Sequence, residues 1–267
     1  MRPADLKVAP PSGNPLGTNP TFKLFAAILI PILRALTKRE WRGLENLPKS
    51  GPVIVCCNHI SYIDVLVFAH CLYSNGRAPR FLGKESIFKV PVVGKVLAAS
   101  GQVPVARETS GASHAIDSAL ALIEAGHCLG VYPEGTLTRD ENLWPMVAKT
   151  GIARLAIMSR VPVVPFAQWG DNDLMPRYST KLVFWRRTKI KIQAGKPLNF
   201  AKWYGKEDDQ AALVEATAYV MAEITKMLEE LRGELAPAEI FDPHKSDLPR
   251  TGNFMKNKKR KLSLIHI

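Results

Sequence analysis

Val53-Ile54-Val55-Cys56-Cys57-Asn58-His59-Ile60-Ser61-Tyr62-Ile63-Asp64 carries an apolar run straight into a histidine and then an aspartate. The run reads as a buried strand. Similar strand-like runs appear at 52–57, 80–83, 102–106, 128–132, 162–167 and 189–193, with helix-like stretches between them at 62–73, 86–99, 112–125 and 150–159. Ile116, Ala119, Leu120 and Ile123 give the third stretch its helical spacing, and Gly126 closes it. This alternation predicts an α/β fold with a mostly parallel or mixed central sheet flanked by helices. In such sheets ligands gather at loops leaving the carboxyl ends of strands. His59, Arg107 and Glu134 each fall just after a predicted strand, which groups them at one edge.

Neutral imidazole is the usual base for taking a proton from an alcohol near neutral pH. It works best when a carboxylate holds its other ring nitrogen, and Asp64, about one helical turn beyond His59, can do so. No Gly-x-Ser-x-Gly nucleophile motif accompanies the pair. The simplest chemistry is therefore direct: His59 deprotonates a substrate hydroxyl, which attacks an activated carbonyl. His70, His114, His127 and His244 lack comparable context and read as structural or surface residues. No second His or Cys sits at ligand spacing, so no metal is expected.

The second marked string is Val131-Tyr132-Pro133-Glu134-Gly135-Thr136. Gly135 lets a backbone approach a ligand closely, and nearby N–H groups and the Thr136 hydroxyl can hold anionic oxygen. Arg107, Arg139 and Lys149 are candidate phosphate ligands. Neither a Walker loop nor G-x-G-x-x-G is present, so no nucleotide cofactor is indicated.

The 267 residues suffice for one large α/β domain with a sizeable core, and 46% hydrophobic content fits a globular chain. A net charge of +12 points to polyanions: anionic lipid, phosphorylated substrate or nucleic acid. No recognition helix or aromatic-lined strand motif supports nucleic acid. Cys56, Cys57, Cys71 and Cys128 lack C-x-x-C spacing; Cys56 and Cys57 read as core thiols, and a reducing, cytoplasmic setting is expected. Residues 1–20 are polar and rich in Pro and Gly; a flexible arm without a signal peptide is expected there.

From Leu24 to Leu33 an apolar run of about ten residues is half of what a spanning helix needs. Lys38, Arg39 and Arg42 follow, with Trp41 among them. Such a helix, flanked by cations and an indole, suits a membrane interface, and Pro31 should kink or divide it. The domain expectation is a membrane-interfacial helical segment over 21–45, a catalytic domain over 46–235 and a disordered basic tail over 236–267. Residues 207–232 form a long helix with one apolar face. Lys256, Lys258, Lys259, Arg260 and Lys261 give the tail a possible anionic-lipid contact. The apolar end, Leu262–Ile267, departs abruptly from the tail and is set aside.

Four blocks in this order resemble the PlsC-type glycerolipid acyltransferases, whose members include 1-acyl-sn-glycerol-3-phosphate acyltransferases. Asn58-His59 through Asp64 is similar to the family's N-H-x4-D block. Gly101 through Arg107 is similar to the second block, which ends in a substrate-binding arginine. Tyr132 through Thr136 is similar to F-P-E-G-T-R, and Val161-Pro162-Val163-Val164-Pro165 to V-P-I-V-P. The resemblance covers roughly residues 40–200. It departs at Leu137, where arginine is usual and where Arg139 could supply the charge. It departs again in Val103-Pro104-Val105-Ala106-Arg107, where an aromatic and an acidic residue are common.

The resemblance implies His59 as base with Asp64 as its partner. It implies Arg107, Glu134, Gly135 and Thr136 as substrate-binding residues, to which Arg139 and Lys149 are added on their own placement. It further implies an acyl-CoA or acyl-carrier-protein donor, a lysophosphatidic acid acceptor, phosphatidic acid as product and no metal or other cofactor. The protein would work peripherally on the cytoplasmic face of the cell membrane, in phospholipid biosynthesis. Two alternatives stay open: another lysophospholipid, polyol or glycolipid acceptor, and a non-catalytic membrane-surface binder.

Overall fold

The structure, a computed structural model, describes residues 15–105, 111–246 and 253–254. Seven strands form one sheet: β1 (Thr37–Arg42), β2 (Val53–Cys57), β3 (Pro79–Lys84), β4 (Val103–Val105), β5 (Cys128–Val131), β6 (Val163–Trp169) and β7 (Thr188–Ala194). Their order is β1-β7-β6-β2-β5-β3-β4. The five strands from β6 to β4 are mutually parallel; β7 pairs antiparallel with β6, and β1 runs parallel to β7. The expected mixed α/β sheet is thus observed.

Helices cover both faces, and β2 shows why. All five of its residues are buried. Successive side chains of a strand point to opposite faces. Ile54 and Cys56 join the core formed with α5 (Gly111–Glu124), α6 (Gly151–Ser159) and α8 (Gln210–Arg232). Val53, Val55 and Cys57 join the core formed with α1 (Pro20–Leu36) and α2 (Asp64–Ser74). A strand wetted on neither side must be apolar throughout, which explains why its sequence does not alternate.

Three short helices are also present: α3 (Glu85–Phe88), α4 (Val93–Ala99) and α7 (Asp171–Leu174). The helix expected over 86–99 is therefore two pieces. Pro91 cannot donate to a helical ladder and biases Val90 away from helix, and Val92 takes a positive φ of 66°.

At the N-terminal end, Asn19 caps α1 by accepting the Phe22 N–H at 2.7 Å, with Pro20 in the first turn. The helix runs unbroken through Pro31, contrary to the expected division. Pro31 and Ala27 are both exposed, so the Ala27 carbonyl that loses its partner faces solvent. The helical part of the 21–45 segment ends at Leu36, and Thr37–Arg42 is instead a sheet strand. Trp41 is turned inward, edge-on to His70 with ring centroids 5.1 Å apart, so it does not flank a membrane helix. Phe22, Ala26 and Leu33 form the buried face of α1. Leu24, Ile28 and Ile32 lie on the other face, 65%, 57% and 49% exposed. Among the described residues no helix is long and apolar enough to cross a membrane.

Candidate active site

Strands β6, β2 and β5 lie side by side and run parallel, so their carboxyl ends open on one edge. Each end delivers part of the site. After β2, Asn58 locks onto β6: its side-chain amide donates to the Gln168 carbonyl at 3.0 Å, and its oxygen accepts the Gln168 N–H at 2.9 Å. His59 comes next. Its Nδ1 stands 2.9 Å from both Oδ1 and Oδ2 of Asp64, at the start of α2. Asp64 is fully buried. Its Oδ2 also accepts the N–H groups of Ile60 at 2.8 Å and Ser61 at 2.9 Å. The carboxylate is thus fixed by backbone before it meets the ring. With Nδ1 donating to Asp64, Nε2 keeps its lone pair and can act as a base.

After β5, Tyr132 stacks on the imidazole with ring centroids 4.2 Å apart and the planes 30° apart. Glu134 is buried, and its two oxygens hold two backbone segments: Oε1 accepts the His59 N–H at 3.0 Å, and Oε2 the Met146 N–H at 3.2 Å. Burial pushes the Glu134 carboxyl up to about 8, against the opposing pull of those two N–H donors. The Thr138 N–H returns to the His59 carbonyl at 2.8 Å. The two sequence blocks are therefore one hydrogen-bonded unit. Gly135 takes φ +69°, and a Cβ there would meet the Lys149 side chain at 3.2 Å, so the lysine stem crosses the turn that carries Thr136.

After β6 comes Asp171, a group the motifs did not mark. It is fully buried, and burial followed by the charge of Asp64 pushes its carboxyl well above the usual range. Its signal in the sequence was its place just past an apolar strand at the same sheet edge. Ser61 Oγ donates to the Met175 carbonyl at 2.5 Å, which draws the loop after α7 to the site.

That loop supplies Arg177 and Tyr178, also unmarked by any motif. Arg177 donates to the Thr138 carbonyl at 2.9 Å and the Asp140 carbonyl at 2.5 Å. Arg139 is 1% exposed, and none of its guanidinium nitrogens has a hydrogen-bond partner among the described residues. The Phe254 ring lies 5.5 Å from the Arg139 guanidinium carbon and 5.7 Å from that of Arg177. Leu137 is buried at 2% exposure, so no cation stands at that turn position. Arg107 lies outside the described residues.

Residues 38–169 match the profile of the Acyltransferase family. The chain is 31% identical over 182 residues to the chloroplastic 1-acyl-sn-glycerol-3-phosphate acyltransferase BAT2 of Brassica napus, a stretch covering 67% of this chain and 50% of that protein. It is 29% identical over 193 residues to the 1-acyl-sn-glycerol-3-phosphate acyltransferase of Bacillus subtilis, covering 70% of this chain and 88% of that one. The chain belongs to the PlsC-type acyltransferase family. The same fold occurs in the crystal structure of PlsC, the 1-acyl-sn-glycerophosphate acyltransferase of Thermotoga maritima, with a TM-score of 0.60 over 81% of each chain and 23% identity. This PlsC-type chain spans about half the length of its Brassica relative. Among its described residues no group of three or more His, Cys, Asp or Glu is gathered as a metal site would need.

Proposed function

We propose that the protein transfers a fatty acyl chain from acyl-CoA or acyl carrier protein to the sn-2 hydroxyl of 1-acyl-glycerol-3-phosphate, giving phosphatidic acid. The observation that carries the reading is His59 Nδ1 held by a fully buried, backbone-anchored Asp64. The relatives' names supply the acceptor.

His59 Nε2 takes the hydroxyl proton as the oxygen attacks the thioester carbonyl. The tetrahedral adduct then expels the thiolate, and the imidazolium returns the proton to sulfur. Asp64 keeps the ring oriented and stabilises its charged form. Tyr132 packs on one face of the ring and limits its rotation. Glu134 acts through the backbone: both of its oxygens receive main-chain N–H groups, and it holds His59 in place. Gly135, Thr136 and Lys149 keep a substrate-binding role on their place at the turn after β5, which Glu134 ties to His59. Arg139 is the phosphate ligand best supported by geometry, because a buried guanidinium without a partner is costly until an anion arrives. Arg107 keeps a phosphate role on its sequence position.

A lysolipid acceptor has to leave a bilayer to react. The exposed Leu24, Ile28 and Ile32 stripe of α1 supports peripheral docking, and four free, buried cysteines fit the cytoplasmic face. One observation favours a second acceptor class. Buried Leu137, where the family has arginine, changes the head-group side of the turn. Labelled oleoyl-CoA with a panel of lysophosphatidic acid, lysophosphatidylcholine, lysophosphatidylglycerol and monoacylglycerol separates the readings. Selective product from lysophosphatidic acid supports the first; selective product from another acceptor overturns it.

A further inference from the structure

The loop that leaves the candidate site through Arg177 and Tyr178 ends in a tip that nothing among the described residues covers. Phe184 and Trp185 are each 74% exposed. Their rings rest on each other edge-to-face, with centroids 5.8 Å apart, so the pair is already arranged as a wedge. Two large aromatics this open cost an isolated soluble chain apolar contact with water. The other indoles differ: Trp144 and Trp203 are buried, and Trp41 and Trp169 are half-buried.

Two features fix the place and partner of this wedge. The Arg187 side chain donates from Nη2 to the carbonyls of Arg34 at 3.0 Å and Thr37 at 2.7 Å. The base of the tip is therefore tied to the carboxyl end of α1, next to the exposed stripe ending at Ile32. Leu182 packs into the same core as Leu29, Leu33 and Leu36 and fixes the loop from the other side. Cations also surround the tip: Arg34, Lys38, Arg186 and Arg187 are exposed. The nearest acid on the adjoining strand, Glu40, is already paired with Lys189 at 2.8 Å. A phenyl ring beside an indole whose N–H gives it one polar edge, set among exposed cations, matches the interface of an anionic bilayer.

We infer that Phe184-Trp185, with Arg186, is a second membrane anchor that inserts into an anionic lipid interface beside α1. The inference rests on the membrane-docking part of the proposed function and adds a contact from another part of the chain. It also has a mechanical consequence. The anchor and the Arg177–Tyr178 end of the candidate site belong to one short loop, so docking would set the site over the leaflet that holds the lysolipid.

The test needs no acyl substrate. The full chain is titrated with vesicles of equal parts phosphatidylcholine and phosphatidylglycerol, and Trp emission is compared between the parent and Trp185→Phe to isolate the exposed indole. The inference expects that difference spectrum to shift to the blue and to be quenched by brominated lipid. Phe184→Ser/Trp185→Ser should lower the vesicle partition coefficient by about tenfold or more. Arg186→Gln should lower it about fivefold at low salt, with the deficit shrinking as salt rises. Partition within twofold of the parent for the double variant, or a Trp185 signal unmoved by vesicles, would overturn the inference. Should the double variant fold poorly, the Trp185 difference signal decides alone. Vesicle binding without acyl transfer would count against the proposed reaction only; acyl transfer with an unmoved Trp185 would count against the anchor only.

Discussion

Glu134 Oε1 accepts the backbone N–H of His59 at 3.0 Å, joining the loop after β5 to the loop after β2. Its other oxygen holds the Met146 N–H at 3.2 Å, so the carboxyl braces the base rather than facing outward. Glu134→Gln would keep one acceptor and set an amide donor against a backbone donor. A buried donor left unsatisfied costs about 1–3 kcal/mol. The variant should lose that much stability by denaturant unfolding and lose kcat more than KM, because His59 moves while the substrate contacts stay. Wild-type kcat in a stably folded variant would remove Glu134 from the account.

Asp64→Asn tests the tautomer. The Asn oxygen can still receive the Ile60 and Ser61 N–H groups, which leaves its amide to donate to His59 Nδ1. The ring proton then sits on Nε2, where the base is needed. Single-turnover acyl transfer should fall by about 10³–10⁴ with little change in melting temperature. A loss below tenfold would show that the carboxylate does not set the working tautomer.

Glu134 also writes a pH dependence. Its carboxyl is raised from 4.5 to about 8, so between those values the native state binds more protons than the unfolded chain. Stability from this group therefore falls as pH rises through the window. His70 works the other way lower down. Burial, then Arg39 and Arg34, push it from 6.5 to about 4, so its contribution rises with pH across that range. The Glu134 slope is read between pH 6.5 and 8. Urea midpoints should decline there in the parent and flatten in Glu134→Gln; parallel slopes would contradict the assignment.

Much of this was legible before the structure, and the misses have physical reasons. Fully buried strands such as Val53–Cys57 announce themselves as apolar runs, and His59, Asp64 and Glu134 follow such runs directly. Thr37–Arg42 was hidden because edge strands carry charge; its pattern is buried only in part, and it continued an apolar helix without a glycine or proline between. Trp41 therefore looked like an interfacial residue, while Trp185, in a loop without periodicity, did not. Tyr132 belongs to the motif after β5, yet its stacking on His59 needs β2 and β5 to be neighbours. Asp171, Arg177 and Phe254 come from parts of the chain with no motif and meet the site only through tertiary folding.

Arg139 separates stability from function. Its guanidinium is buried, contacts the Phe254 ring, and has no hydrogen-bond partner among the described residues. Replacing such a cation by an apolar group of similar size is often neutral or stabilising. Arg139→Met should hold or raise the melting temperature, by about 2–4 °C for each kcal/mol recovered. It should also raise KM for a phosphorylated acceptor at least about tenfold, the worth of a charge-assisted contact. An unchanged KM would take the phosphate role from Arg139.

The most direct test of the central claim is acyl transfer from labelled oleoyl-CoA to lysophosphatidic acid in mixed micelles, by the parent and His59→Ala at matched circular dichroism. The parent should form phosphatidic acid and the variant should lose at least about 10³-fold, as removal of a general base requires. Turnover by His59→Ala within tenfold of the parent would contradict it.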